Sequence, residues 1–375
     1  MRHLTKAAAV LVAAAVVTTV AIGAFGPAGP AASTTAEVAV VAPDRLADRI
    51  ARAQERLRTV PGDWRTWAAL SVAYLEQSRI GADPSYYPKA EGAARRSLEV
   101  RPNDNPDALV ASGALANARH DFTAARAHAL AAIKLNAFDS EAYAVLADAE
   151  TQLGHAGAAT AAIQRQLDLR PGLSAYARAS YDLELRGRTA DASALMRQAL
   201  DAAVDPHDIA FCRTHLGDLA YTAGDLAGAE REYQAGLAAA PSTVALRRGL
   251  ARVAAARGDT ASALTGYAEV TRRAPTPGYL IEYADLLRTA GRTGDADTQL
   301  SLATAAHQLF TANGGIDGLT GAELAIATGR TADALGVARA EWNRRKHPDV
   351  ASVLAKALRL NGRAAEPLTT EWGTR

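Results

Sequence analysis

The sequence predicts an all-α protein: one long solenoid of about eight helix pairs, with a single helix flanking it at either end. Three observations carry this. The hexapeptide Gly187-Arg188-Thr189-Ala190-Asp191-Ala192 recurs as Gly291-Arg292-Thr293-Gly294-Asp295-Ala296 and Gly329-Arg330-Thr331-Ala332-Asp333-Ala334, with looser copies from Gly154, Gly224 and Gly258. The glycines at 154, 187, 224, 258, 291, 329 and 362 stand 33, 37, 34, 33, 38 and 33 residues apart, and self-similarity at a period of 20–50 residues marks a repeat array. Finally, apolar residues make up 49% of the chain and aromatics only 5%. The apolar share is mostly Ala and Leu, which suits closely packed helices.

Each copy reads as the end of one helix and the start of the next. The Gly supplies the positive φ that closes a helix. Two residues later Thr, Leu or Ala stands where the next helix starts. Thr there is expected to cap free N–H groups, and the following Asp suits the positive end of the dipole. Ala five residues after each Gly lets two helices approach closely. The element ahead of the array is a helix from Pro43-Asp44, with Asp44 as N-cap. Its Leu46, Ile50, Ala53 and Leu57 share one face, and Pro61 ends it. At the other end Pro367 cannot sit inside a helix. Helix 349–361 is therefore the expected cap, with residues 367–375 a tail. Leu368 and Trp372 of the tail, or a second protein, would cover the apolar surface around Leu335 and Trp342.

The first 26 residues have the layout of a targeting segment. Arg2, His3 and Lys6 precede an uncharged run from Ala7 to Phe25, and Gly26-Pro27-Ala28-Gly29-Pro30 follows. That order fits a secretory signal peptide or a retained signal anchor, and either places the body outside the cytoplasmic membrane. Residues 27–43 lack a period and read as a flexible linker. Membrane contact is expected only through the N-terminal segment.

Net charge is +1, so no strong field favours nucleic acid, and no basic face is evident. Cys212 is the only cysteine and reads as a small apolar filler. No catalytic or nucleotide-binding motif is present. Gly314-Gly315-Ile316-Asp317-Gly318-Leu319-Thr320-Gly321 is glycine-rich, but no strand precedes it, and it reads as a loop between repeats. The pairs His120/His128 and His207/His215, taken at helical spacing, lie about 12 Å apart, too far to share a metal ion. Trp67 reads as packing rather than a ligand cage, and Arg344-Arg345-Lys346-His347 as a solvated helix C-terminus. No cofactor and no metal are expected.

From Pro61 onward the chain resembles the tetratricopeptide repeat (TPR) family, whose pattern is W-x2-L-G-x2-Y, a Gly, A-x3-F/Y and a Pro. Leu216-Gly217, Gly224, Ala229, Tyr233 and Pro241 form the clearest copy, the fifth. The third has Tyr143, Leu146, Ala147, Gly154, Ala159, Ile163 and Pro171. The sixth has Leu250, Ala251, Gly258, Ala263, Tyr267 and Pro275. In the first, Trp67, Leu70 and Tyr74 are separated from Tyr87 and Ala90 by the longer turn 79–86. His120 takes the glycine position of the second. The likeness spans residues 44–366. Asp83-Pro84-Ser85-Tyr86-Tyr87 and the stretch 310–314 look like an exported bacterial branch of the family.

The resemblance implies a right-handed superhelix of antiparallel helix pairs and a concave groove, lined by each first helix, that binds peptide segments. Groove side chains in the family lie one, five and eight residues after the Trp position. Carried over to repeats three to seven, this gives Asp148, Thr151, Tyr181, Glu184, Asp218, Tyr221, Arg248, Arg252, Asp285 and Arg288. No Lys or Asn appears among them, so the carboxylate clamp of chaperone-binding members is not implied. The expected function is an exported, non-enzymatic adaptor that holds a protein or peptide partner in its groove. The alternative is a membrane-anchored scaffold that organises a cell-envelope or secretion complex through its outer face and ends.

Overall fold

The structure is a computed structural model that describes residues 45–364 and 366–374; the expected targeting segment, the linker and the Asp44 cap lie outside them. The first helix is α1 (Arg45–Thr59). Repeat one is α2 (Trp64–Gly81) and α3 (Tyr87–Val100), separated by a 3-10 turn at Pro84–Tyr86 that accounts for its extra length. Then follow α4 (Pro106–Ala118) with α5 (Phe122–Leu135), α6 (Ser140–Leu153) with α7 (Ala156–Leu169), and α8 (Leu173–Leu185) with α9 (Thr189–Asp201). Repeats five and six are α10 (Pro206–Thr222) with α11 (Leu226–Ala239), and α12 (Val244–Ala256) with α13 (Thr260–Arg273). Repeats seven and eight are α14 (Pro277–Thr289) with α15 (Thr293–Ala312), and α16 (Gly318–Ala327) with α17 (Thr331–Arg344); α18 (Pro348–Leu360) follows alone. Each helix packs on its partner and on the next pair, as an all-α solenoid requires.

The glycine ladder does what its spacing implies. Gly154, Gly187, Gly224, Gly258, Gly291, Gly329 and Gly362 all take positive φ, between 65° and 95°, and His120 takes +62° at the corresponding place in repeat two. The alanine five residues on is sealed in repeats two to eight: Ala125, Ala159, Ala192, Ala229, Ala263, Ala296 and Ala334 have no exposed surface. The expected Thr cap is not used. Thr189, Thr293 and Thr331 are each the first residue of a helix, so the residue before them holds the capping position. Where that residue is Asp225 or Asp259, its carboxylate accepts an N–H from Gly228 or Ser262. Where it is Arg188, Arg292 or Arg330, it pairs with the Asp three residues on.

Larger side chains fit only because glycine faces them. Tyr233 is fully buried. A Cβ at Gly217 or Gly249 would come within 2.3 Å or 2.4 Å of its ring. At the C-terminal end, Leu368 is buried against Leu335, Leu354 and Leu358, with Trp342 beside them. The tail therefore folds back rather than fraying. There it forms an antiparallel pairing of β1 (Thr369–Thr370) with β2 (Gly373–Thr374), a small exception to the expected absence of any sheet. Gly373, which opens β2 directly after the turn at Glu371 and Trp372, takes a φ of +128°.

Gly249→Ala should destabilise the fold by about 1–3 kcal/mol through overpacking against Tyr233, read as a lowered midpoint in urea. Leu368→Ala should cost about 2–5 kcal/mol if the tail is part of the core, again by urea titration of the full chain.

Candidate binding groove

The residues expected in the groove all stand on the first helices of repeats three to seven, α6, α8, α10, α12 and α14. Most of the charged residues expected there are paired across neighbouring repeats. Asp148 on α6 takes both its contacts from Arg178 on α8, at 2.8 Å each. Asp218 on α10 accepts from Tyr233 at 2.7 Å and from Arg252 on α12 at 3.0 Å. The Arg252 guanidinium also lies 4.2 Å from the centre of the Tyr221 ring. Arg248 pairs with Glu282 on α14, and Arg288 donates to the Ala327 carbonyl on α16 at 2.6 Å. These contacts hold successive repeats in register, a structural task for residues expected to touch ligand.

The expected residues fall into two clusters. Asp148, Thr151, Tyr181 and Glu184 line one narrow cleft that runs from α4 to α10, together with Asn117, Phe122, Met196, Phe211 and His215. Asp218, Tyr221, Arg248 and Arg252 form an ion-pair cluster beyond its end. Asp285 and Arg288 join neither; Asp285 is exposed, and the cations acting on it are Lys356 and Arg288.

Burial shapes the protonation of the concave face. Burial, with Asp218 and Asp349 nearby, pushes the Glu184 carboxyl up to about 7. Burial, with Asp317 and Asp349, pushes Glu323 up to about 8. The ordinary value for both is 4.5. Folded chains therefore keep protons that unfolded chains release between pH 4.5 and about 8, so these groups make stability fall as pH rises through that window.

The solenoid also curls back on itself. The loop after α15 and the link between α17 and α18 rest on the turns of repeats two and three. Ile316 N–H donates to the Arg119 carbonyl at 2.8 Å, and Lys346 N–H to the Leu153 carbonyl at 3.1 Å. Arg119 donates to the Asn313 carbonyl at 3.0 Å, and Arg344 to the His120 carbonyl at 2.7 Å. Phe310 packs on Tyr87 and His120. The basic run 344–347 is thus not a solvated helix end. Arg345 is 5% exposed, tied to Glu341 and to Gln152, and His347 is fully buried, its Nε2 3.5 Å from the Tyr181 hydroxyl. The next turn of the solenoid lies over these residues, and a local sequence reading cannot see it. His120 and His128 are likewise not two residues of one helix, because His120 stands in the turn before α5.

Several concave-face residues were missed. Carrying the same spacing into repeats two, eight and nine reaches Asn117, Glu323 and Lys356, so the absence of Lys and Asn holds only for repeats three to seven. Arg178 and Glu282 both stand two residues after the Trp place, a position outside the family's groove set.

Glu184→Gln and Glu323→Gln should each flatten the decline in melting temperature between pH 5 and pH 8. Arg345→Ala should cost about 3–5 kcal/mol, because Glu341 would stay buried with only Arg344 beside it; urea denaturation measures it.

No protein-family model and no curated protein matches the chain. Among solved structures it is similar to a chain of the APC/C hetero-tetramer Cut9–Hcn1, at 15% identity and a TM-score of 0.55, covering 72% of this chain. It spans only about half (52%) of that chain. It is also similar to the human IFIT1 dimer with PPP-AAAA, at 13% identity and a TM-score of 0.55, covering 84% of this chain and 74% of the other. A tetratricopeptide repeat protein from Parabacteroides merdae aligns with 69% of the chain at 15% identity and a TM-score of 0.43. At such identities the likeness bears on the fold alone, and the fold is an all-α solenoid of helices packed in consecutive pairs.

Proposed function

We propose that this protein is an exported, non-enzymatic adaptor that holds an extended segment of a partner protein in its concave groove. The observation that carries this is the cleft across repeats two to five. Four of the expected groove residues, Asp148, Thr151, Tyr181 and Glu184, meet there with the apolar side chains of Phe122, Met196 and Phe211. Apolar walls with a few placed polar groups suit an extended chain with alternating side chains. The carboxylates of this face weigh against a polyanion such as RNA, although the human IFIT1 structure carries PPP-AAAA. A non-catalytic role is consistent with the one cysteine, whose thiol burial pushes up to about 12, far from a reactive thiolate.

Export rests on the basic start and apolar run of residues 1–25, with the segment cleaved or kept as an anchor. An anchored scaffold acting through its outer face is the second reading. Phe138 and Val204, 76% and 90% exposed between repeats, would supply contacts for it.

Panning residues 44–375 against a random-peptide library should enrich one motif. The enriched peptide should bind at least tenfold more weakly to Tyr181→Ala, and unchanged to Glu99→Gln on the far side of repeat one. Failure of any motif to enrich, or full binding by Tyr181→Ala, overturns groove capture. An alkaline phosphatase fusion to the full chain should be active outside the cytoplasm.

A further inference from the structure

We propose that the cleft over Glu184 receives a basic side chain, lysine or arginine, from an extended partner segment lying along Asn117, Thr151 and Glu184. This rests on groove capture and names the chemistry that the groove selects.

Glu184 is the first of three observations. It lies half-buried on α8 and faces Asp218 and Asp349. Asp148 has Arg178 and Asp218 has Arg252, whereas no ion pair or hydrogen bond engages the Glu184 side chain among the described residues. A half-buried carboxylate with two like charges near it and no ion-pair partner among the described residues is costly to ionise. A ligand cation would supply the missing charge.

The second is Asn117, 1% exposed and lining the same cleft. Its Nδ2 donates to the Val145 carbonyl at 3.0 Å, while its Oδ1 has no partner. A buried acceptor left open costs about 1–3 kcal/mol, and a backbone N–H of an extended segment would satisfy it.

The third is what already lies at the rim. The chain's own basic link is extended there: Arg345 has φ −153° and ψ 139°. Its Lys346 N–H bonds the Leu153 carbonyl, and its Arg345 guanidinium bonds Gln152 and lies 5.4 Å from the Phe122 ring centre. Gln152 and Phe122 both line the cleft. The rim thus already accepts an extended basic segment of this protein, and the Asn117 Oδ1 and Glu184 carboxylate beside it suit the same chemistry. The methylene stem of lysine or arginine would run along Met196 and Phe211 while its head reaches Glu184.

The charged and titratable groups around Glu184 are Tyr181 on its own helix, the Asp148–Arg178 pair, Asp218 and His215 on α10, Asp349 on α18, and Arg345 and His347 of the link. Burial holds His215 below its ordinary value, so it stays neutral near pH 7.

Fluorescence anisotropy with three labelled peptides tests the proposal on residues 44–375. The peptides are Ala-Leu-Ala-Leu-Lys-Leu-Ala-Leu-Ala and its counterparts with Glu or norleucine in place of Lys. The Lys peptide should bind at least tenfold more tightly than the Glu peptide at pH 8. Its affinity should fall at least threefold at pH 6, as Glu184 takes up a proton. Glu184→Gln, checked for an unchanged circular dichroism spectrum, should lower Lys-peptide binding to the norleucine level and remove the pH dependence. Equal binding of all three peptides, or wild-type binding by Glu184→Gln, overturns the basic-side-chain proposal and leaves groove capture standing. Binding of none of them overturns both.

Discussion

No repeat in this chain can bury its own apolar face, and everything else in the structure follows from that constraint. A pair of helices of about fourteen residues has a core only when a neighbour lies on it. The contact is made close by alanine: seven alanines at one repeat position have no exposed surface. Where a large ring enters, as at Tyr233, glycines on two adjacent first helices make way for it. The two ends are where the constraint is hardest to meet. At the C-terminal end α18 offers Val350, Val353, Leu354, Ala357 and Leu358 to the stack, and the tail adds Leu368 over them.

The same stacking sets the curvature, and the curvature brings the eighth and ninth repeats over the second and third. The contacts at that seam are largely to backbone carbonyls of Arg119, His120 and Leu153. Such contacts require close approach rather than a particular partner side chain. Gly154 permits the approach, since a Cβ there would lie 2.8 Å from the Lys346 backbone. The seam narrows the concave space and places Asp349 near both Glu184 and Glu323. Those two carboxyls owe their raised protonation to burial first, then to Asp218 beside Glu184 and Asp317 beside Glu323, and after these to Asp349.

Charge on the concave face therefore has two fates. Asp148, Asp218, Arg248 and Arg252 are used between repeats, where each pair joins one helix to a neighbouring one. Partly buried pairs of this kind act through register as much as through energy. Glu184 and the Asn117 Oδ1 find no such partner among the described residues, in a cleft they share with Phe122, Met196 and Phe211. The difference between an internal strut and a side chain left open lies in whether a neighbouring repeat supplies the partner.

The helices, their pairing and their order were legible in the chain, because the glycine–alanine period acts through local backbone geometry. A residue that must take positive φ, and an alanine that must be sealed, leave the same mark in every copy. The concave face was half legible. The family spacing put Asp148, Thr151, Tyr181 and Glu184 in one place, yet it could not say that Asp148 would be neutralised by Arg178. That depends on the rotation between adjacent pairs, which no single repeat encodes. The cap at each helix start was misread by one residue, since Asp and Arg serve there by different contacts and Thr follows both. The burial of Arg345 and His347 was not legible at all. Arg345 lies 193 residues from Gln152 and His347 166 from Tyr181, and they meet only because small rotations, summed over the intervening repeats, bring the solenoid back onto itself.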